Sequence, residues 1–414
     1  MMTYTQATDW LFQQFPAFQR DGLMAYKPDV GNILELCRIF EIPYEKLKYV
    51  HIAGTNGKGS CCHMLASVFQ EASYKTGLFT SPHLIDFTER IRVNGVQIPE
   101  EKVISFCEQV KQQDLGMQPS FFEITWLMAL KHFLEEECEI CVIEVGMGGR
   151  LDATNIIRPL LSVITRIGMD HAQVLGDSLE KIAFEKAGII KREVPVLIGK
   201  RQPETEQVYL QVSHERKAPL YYAEECKVSV ELWHEGAYQQ ENERTVRGAV
   251  SLLREAGVSC TEQQVLDGIR KAHSNTGYGG RMHRLKEFPN VILDAAHNED
   301  GIRALLRSIP KREKGKLIII FGSTKEKDQA ELLELFPLDG VLIASTFRNP
   351  RSVDVTRWKE MAAESKRAIE VFSRVSQAWD YAQSIVNEGD QILICGSFFL
   401  LSDFFTFFSR NDLT

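Results

Sequence analysis

The sequence predicts an α/β protein of two domains built on mainly parallel sheet. Three observations carry that expectation. Short apolar runs alternate with amphipathic helical stretches along most of the chain. At 414 residues the chain is too long for one ordinary core. An apolar strand, Tyr49 to Ala53, runs directly into the glycine-rich turn Gly54-Thr55-Asn56-Gly57-Lys58-Gly59-Ser60, and a helix leaves that turn.

Residues 1–48 read as a helical lead-in, with Ile33, Leu34, Leu36, Cys37 and Phe40 on one face. The turn at 54–60 is the feature around which the chain is organised. Glycines let backbone N–H groups converge, and a helix start adds partial positive charge, so the turn is suited to cradle phosphate. Lys58 is placed to reach the β- and γ-phosphates, and Ser60 to bind Mg²⁺. Gly59 stands between them, so the generic phosphate-loop spacing is not met. Cys61, Met64, Leu65, Val68 and Phe69 then recur at helical spacing.

Leu78 to Thr80 reads as a strand, Ser81-Pro82-His83-Leu84 as a loop, and Glu89 to Gly95 as a return into a short hairpin. Residues 100–112 and 121–135 read as helices. Glu123 falls in the first turn of the second, where a carboxylate is favourable for structural reasons. Ile140 to Val145 is an apolar strand with Glu144 near its end, followed by Gly146, Gly148, Gly149, Arg150 and Asp152. In open α/β sheets ligands sit beyond the carboxyl ends of strands, which makes Glu144 a Mg²⁺ candidate. Leu161 to Thr165 is the next strand, ending before Asp170-His171. The helix expected over Leu179 to Ile190 carries Lys186 among Ile182, Ala183 and Ile189. Burial there would lower its pKa.

A helix is expected from Gly236 through Leu253. The run from His273 to Arg281 is the best linker, giving domains at 1–273 and 284–414 with a linker at 274–283. Strands follow at Val291 to Asp294, Leu317 to Phe321, Gly340 to Ser345 and Gln391 to Cys395.

The formal net charge is −8, from 48 basic and 56 acidic side chains, which argues against nucleic acid as a partner. No apolar run reaches membrane-spanning length, and the N-terminus, with Asp9, Arg20 and Asp21, is not that of a signal peptide. Nine scattered cysteines fit a reducing compartment. A cytoplasmic protein is expected.

Taken together, these residues resemble the folylpolyglutamate synthase and dihydrofolate synthase family of the Mur-ligase superfamily. The resemblance spans Gly31 to about Ser397. It rests on Gly54 to Ser60, Ser81 to Leu84 with Glu89-Arg90-Ile91, Glu144 to Asn155, Asp170-His171, Glu185 to Lys191, Tyr238-Gln239 with Asn242, Asp294 to Asn298, and Gly396-Ser397. It implies an N-terminal phosphate-loop ATPase domain and a smaller C-terminal Rossmann-like glutamate-ligase domain, with ATP between them.

By motif, the resemblance puts Gly54, Thr55, Asn56, Gly57, Lys58, Gly59 and Ser60 on the nucleotide, together with Asn242, Arg281, Asp294 and His297. It puts Ser60, Ser81, Glu144 and His171 on Mg²⁺, expected as two ions, and Ser81, Pro82, His83, Arg150 and Asp152 on the pterin substrate. Lys58, His171 and Lys186 are then the catalytic set, Lys186 matching a lysine that is carbamylated in the family. The implied reaction joins L-glutamate to a folate, and also to dihydropteroate, through an acyl phosphate. Its partners are small molecules, and a monomer is expected.

The chain departs from the family pattern in its second half. Tyr278-Gly279 stands for the usual Trp-Pro, Ala295 for a glycine, Glu299 for a proline, and Phe398-Phe399 for Leu-Tyr. Three rivals remain. One is a polyglutamate synthase without the dihydropteroate activity. Another is a Mur-type enzyme of cell-wall precursors, against which stands the short stretch before the first strand. The third is an NTP-dependent regulatory protein that has lost ligase chemistry.

Overall fold

The computed structural model describes residues 2–411 apart from 26, 227–231, 233–235, 286, 289 and 311–313. The outer bounds expected for the two domains, 1 and 414, lie outside the described residues. The chain forms two compact units: Met1–Glu235 with Gln239–Tyr278, and Gly236–Tyr238 with Gly279–Thr414.

Among its described residues unit 1 holds eight strands: β1 (Tyr49–Ala53), β2 (Thr76–Phe79), β3 (Ile91–Val93), β4 (Val96–Gln97), β5 (Ile140–Glu144), β6 (Leu161–Ile164), β7 (Val196–Ile198) and β8 (Leu220–Tyr222). They form one sheet in the order β4-β3-β2-β5-β1-β6-β7-β8. Every pairing is parallel except those of the β3–β4 hairpin at one edge. All five residues of β1 are buried, because helices cover both faces of the sheet. Val50 and Ile52 share a core with Cys61, Met64, Leu65 and Val68 of the phosphate-loop helix, Lys58–Glu71. Tyr49, Phe79 and Ile143 share the opposite core with Ile124, Trp126 and Leu127.

The helix Phe121–Glu135 starts where the sequence puts it, and Glu123 has the structural role expected there. Ser120 Oγ accepts the Glu123 N–H at 3.2 Å, and the Glu123 carboxylate accepts the Ser120 N–H at 2.6 Å. This reciprocal box satisfies two helix-end donors.

The helix expected over Leu179 to Ile190 ends at Ala187. The Glu185 carbonyl accepts the Arg150 N–H at 2.7 Å instead of the Ile189 N–H of a further turn, and the approach is so close that a Cβ at Gly188 would lie 2.3 Å from Arg150 Cα. The glycine-rich run after Lys271 begins as a helix, Ala272–Thr276, whose Thr276 hydroxyl lies 2.9 Å from His63 Nδ1.

Unit 2 adds β9 (His283–Arg284), β10 (Val291–Asp294), β11 (Leu317–Phe321), β12 (Val341–Ser345), β13 (Ile369–Phe372) and β14 (Gln391–Cys395). Their order is β13-β12-β11-β14-β10-β9, with only β9 antiparallel. Ile292, Ile319, Phe321, Trp358 and Leu393 lie in its main core. β13 was not expected: it is a four-residue edge strand, Ile369-Glu370-Val371-Phe372, with no residue fully buried, too short to stand out. No helix among the described residues is long and apolar enough to cross a membrane. All nine cysteines are free thiols. Cys138 and Cys141 stand at Cys-x-x-Cys spacing, against the expectation that the scattered cysteines hold no such pair. Both are buried, and burial pushes the Cys141 thiol well up, away from the exposed thiolate that redox or metal chemistry needs.

Candidate functional site

The centre of unit 1 is the turn from β1 into the helix Lys58–Glu71. Two of its glycines are required by what lies against them. A Cβ at Gly54 (φ 146°) would fall 1.8 Å from Thr165 Oγ1, and one at Gly57 (φ 95°) 2.3 Å from Asn242 Oδ1. The Thr165 hydroxyl donates to the Asn56 carbonyl at 2.8 Å, and the N–H groups of Thr55 and Asn56 donate to the Arg166 carbonyl at 2.9 and 3.3 Å. The first half of the turn is therefore tied to the end of β6. The first intrahelical bond runs from Cys61 N–H to Gly57 carbonyl at 2.9 Å. The N–H groups of Lys58, Gly59 and Ser60 thus sit in the first turn, with no carbonyl of the helix to accept them. They are the donors an anion would use.

Around that helix start the structure gathers several of the expected side chains. A Cβ at Gly59 would lie 3.7 Å from both Glu144 carboxylate oxygens, which sets the carboxylate over the first helical turn. The Ser81 N–H donates to Glu144 Oε2 at 3.0 Å and holds it there. Lys58 Nζ donates to the Thr55 carbonyl at 3.3 Å. Lys186 is buried beneath the turn, with Nζ donating to the Gly54 carbonyl at 2.9 Å. Burial, and then the positive charge of Lys58, push the Lys186 amine down to about 7, against smaller opposing effects of Asp170 and Asp152.

His171 adopts a left-handed backbone (φ 52°) at the start of the helix Ala172–Leu175. Its ring meets Phe18 edge-on at 5.4 Å, and Nε2 lies 3.9 Å from Asp170 Oδ2. Among the described residues no three His, Cys, Asp or Glu side chains converge as a metal cage. Of the expected Ser60, Ser81, Glu144 and His171 set, Ser81 is bonded to Glu144 through its N–H, and Glu144 lies over the helical turn that carries Ser60. Mg²⁺ takes few protein ligands and keeps positions for water and phosphate, and Glu144 stands beside the N–H groups where phosphate would lie.

The expected pterin residues fall into two loops. His83 is packed against Arg90, whose Nε donates to His83 Nδ1 at 2.9 Å. The ring is therefore neutral, with its proton on Nε2, and burial pushes its pKa well down. The Glu89 carboxylate accepts the N–H groups of Leu84, Ile85 and Asp86 at 2.7, 2.9 and 2.8 Å. Glu89 and Arg90 thus build the loop that presents Ser81 to His83, a role that the sequence reading did not assign. Their signal was present as the acid–arginine pair just before β3. The Arg90 guanidinium also covers the Phe121 ring at 5.3 Å, and Phe121 stacks on Phe12 at 4.4 Å.

In the second loop Asp152 is buried, its carboxylate accepting the N–H groups of Met147 (2.9 Å) and Thr154 (3.0 Å). It braces the glycine turn from inside. Arg150 faces outward and pairs with Glu185 at 2.9 Å, next to Lys186 in sequence.

In unit 2, Asp294 ends β10. Its carboxylate accepts the N–H groups of Ala296 and Met282, both at 2.9 Å, and the Tyr238 hydroxyl at 2.5 Å. Arg281 lies 3.8 Å from Asp294 and over the Phe398 ring at 4.8 Å. His297 Nδ1 donates to the Ala295 carbonyl at 2.8 Å. The departures are absorbed locally. Ala295 is fully buried, and Glu299 pairs with Arg303 at 2.8 Å in the first turn of the helix Glu299–Ser308. Asn242, in unit 1, donates Nδ2 to Gln239 Oε1 at 3.0 Å.

Residues 52–250 match the Mur ligase middle domain, and residues 280–398 the Mur ligase glutamate ligase domain. The chain is 31% identical over 91% of its length, and 94% of the other, to a dihydrofolate synthase/folylpolyglutamate synthase of Bacillus subtilis. It superposes with a TM-score of 0.84 and 28% identity on Escherichia coli FolC in complex with DHPP and ADP, covering 99% of both chains. It superposes at 0.83 and 25% identity on a bifunctional folylpolyglutamate synthase/dihydrofolate synthase of Yersinia pestis complexed with AMPPNP and Mn ion, covering 99% of this chain and 100% of that one.

Proposed function

The chain belongs to the folylpolyglutamate synthase and dihydrofolate synthase family of Mur ligases, and from that premise we propose that it glutamylates both a reduced folate and dihydropteroate. It is an ATP-dependent acid–amino-acid ligase, joining L-glutamate to a folate carboxylate with ATP and a divalent cation. We place it in the cytoplasm, acting as a monomer.

The observation that carries the site assignment is the Glu144 carboxylate, held by Ser81 over the free-ended first turn of the phosphate-loop helix. Lys58 and the N–H groups of that turn would hold the β- and γ-phosphates and offset the charge that builds on the transferring group. Ser60, Ser81, Glu144 and His171 would hold Mg²⁺, which supplies charge neutralisation and alignment of phosphate and carboxylate. The pterin carboxylate attacks the γ-phosphorus, releasing ADP and giving an acyl phosphate. The glutamate amine then displaces phosphate. His83 offers its Nε2–H as a fixed donor on the pterin side, and Arg150 offers a cation at the loop surface. Asn242, Arg281, Asp294 and His297 are proposed as nucleotide contacts. Burial gives Lys186 a substantial neutral fraction near pH 7, which is the form that takes up CO₂ as a carbamate.

The test is mass spectrometry of products formed from ATP, Mg²⁺ and glutamate with either dihydropteroate or tetrahydrofolate. Glutamylation of both is expected. Glutamylation of tetrahydrofolate alone would leave a polyglutamate synthase.

A further inference from the structure

A line of buried and half-buried polar side chains runs beneath the phosphate loop of unit 1, from its second glycine to its serine. Asn242, against Gly57, donates Nδ2 to Gln239 Oε1 at 3.0 Å. Gln239 Nε2 donates to Tyr278 Oη at 2.9 Å. Tyr278 Oη lies 2.6 Å from Ser60 Oγ. Gln239, Asn242 and Ser60 are 2%, 5% and 2% exposed, and Tyr278 is half-buried, so the line is largely shielded from water.

The line has a direction. The Gln239 carbonyl is taken by Asn242, so its amide NH₂ is the end that faces the phenol. The phenol ring is fixed as well: it lies 5.1 Å from the His63 ring, and His63 is held by Thr276. A serine hydroxyl has one proton and two lone pairs, and it rotates unless something holds it.

We propose that Tyr278 is a positioning residue for the nucleotide's cation: its hydroxyl, oriented by Gln239, fixes the rotation of Ser60 Oγ so that a lone pair faces the cation site in advance. The inference rests on the reading of Ser60 as a cation ligand. Mg²⁺ demands near-ideal octahedral geometry, so a pre-aimed oxygen gains affinity by removing an ordering cost. The device belongs to this chain. The usual tryptophan at this position has only an N–H donor, and could not both accept from Gln239 and engage Ser60.

The test is calorimetric binding of ADP to the full chain at increasing Mg²⁺, for wild type, Tyr278→Phe and Ser60→Ala. Phenylalanine keeps the ring and removes one hydroxyl, so Tm should hold. The Mg²⁺ concentration giving half the full enhancement of ADP binding should rise about three- to tenfold in Tyr278→Phe, the worth of about one hydrogen bond. ADP affinity without Mg²⁺ should stay unchanged. An unshifted Mg²⁺ dependence in Tyr278→Phe, beside a clear shift in Ser60→Ala, would overturn the role of Tyr278 alone. An equal loss of metal-free ADP binding in Tyr278→Phe would also overturn it, showing general loosening of the loop. If Ser60→Ala leaves the Mg²⁺ dependence unchanged, the ligand reading itself fails.

Discussion

The glycine turn of unit 1 and the Asp294–Glu299 turn of unit 2 both end a parallel strand and lead into a helix, yet they tolerate change very differently. At Gly54 and Gly57 a methyl group would fall within 2.3 Å of Thr165 or Asn242. At position 295 the chain carries a methyl group, fully buried, where the family pattern has glycine. The charge at Glu299 is likewise taken up by Arg303. The first turn is closed by neighbours distant in sequence. So is the second, where the Ala295 N–H donates to the Gly280 carbonyl and the Gly396 N–H to the Ala296 carbonyl, both at 2.9 Å, and Met282 and Tyr238 hold Asp294; what differs is the room beside the residue at 295. The departures at 295 and 299 fall where the structure accommodates them.

The comparison can be broken at several places. The largest effect is expected at Lys58→Ala, which should lower the rate of ADP release by a factor of about 100 to 1,000 or more, with little change in Tm. Substantial turnover in that variant would remove the first turn from the chemistry. Next is Gly57→Ala. The left-handed backbone alone costs about 1–2 kcal/mol, and the contact with Asn242 adds to it, so denaturant melts should show a loss of about 2 kcal/mol or more. Ala295→Gly, its counterpart in unit 2, should cost about 1 kcal/mol through a lost buried methyl and a looser unfolded chain. Equal losses at the two positions would erase the contrast.

Lys186 sharpens the comparison through pH. Its amine titrates near 7 in the folded chain, against 10.5 ordinarily. Between those values the unfolded chain binds the extra proton, so the lysine adds a rise in stability with pH across that window and none below it. Lys186→Met should flatten that rise in melts taken from pH 7 to 10; an unchanged slope would mean that the amine is not buried as described. The smallest effect is expected at Glu299→Ala, an exposed helix pair. Its loss should cost no more than about 0.5 kcal/mol and leave ADP affinity unchanged.

Much of this was legible in the sequence because it is local. β1, the helix after it, β5 with Glu144, the two helices at 100–112 and 121–135, and the strands β10, β11 and β14 all announce themselves by period or by continuous apolar runs. What was not legible depends on residues far apart. Tyr278 reaches Ser60 across 218 positions, and Lys186 reaches Gly54 across 132. No periodicity carries such pairs. The end of the helix at Ala187 belongs to the same class, since the close approach of Arg150 decides it. Lys186 itself was only half visible: its apolar neighbours suggested burial, but the loop carbonyl that holds it came from another part of the chain.

The most direct test of the account is stoichiometric. ADP release should be measured from ATP and Mg²⁺ with tetrahydrofolate and glutamate present together, singly, and not at all, alongside the glutamylated product. The account predicts that sustained ADP release needs both substrates, with one ADP formed for each glutamate joined. Sustained release that ignores both substrates would contradict it, and would describe an NTP-hydrolysing protein without ligase chemistry.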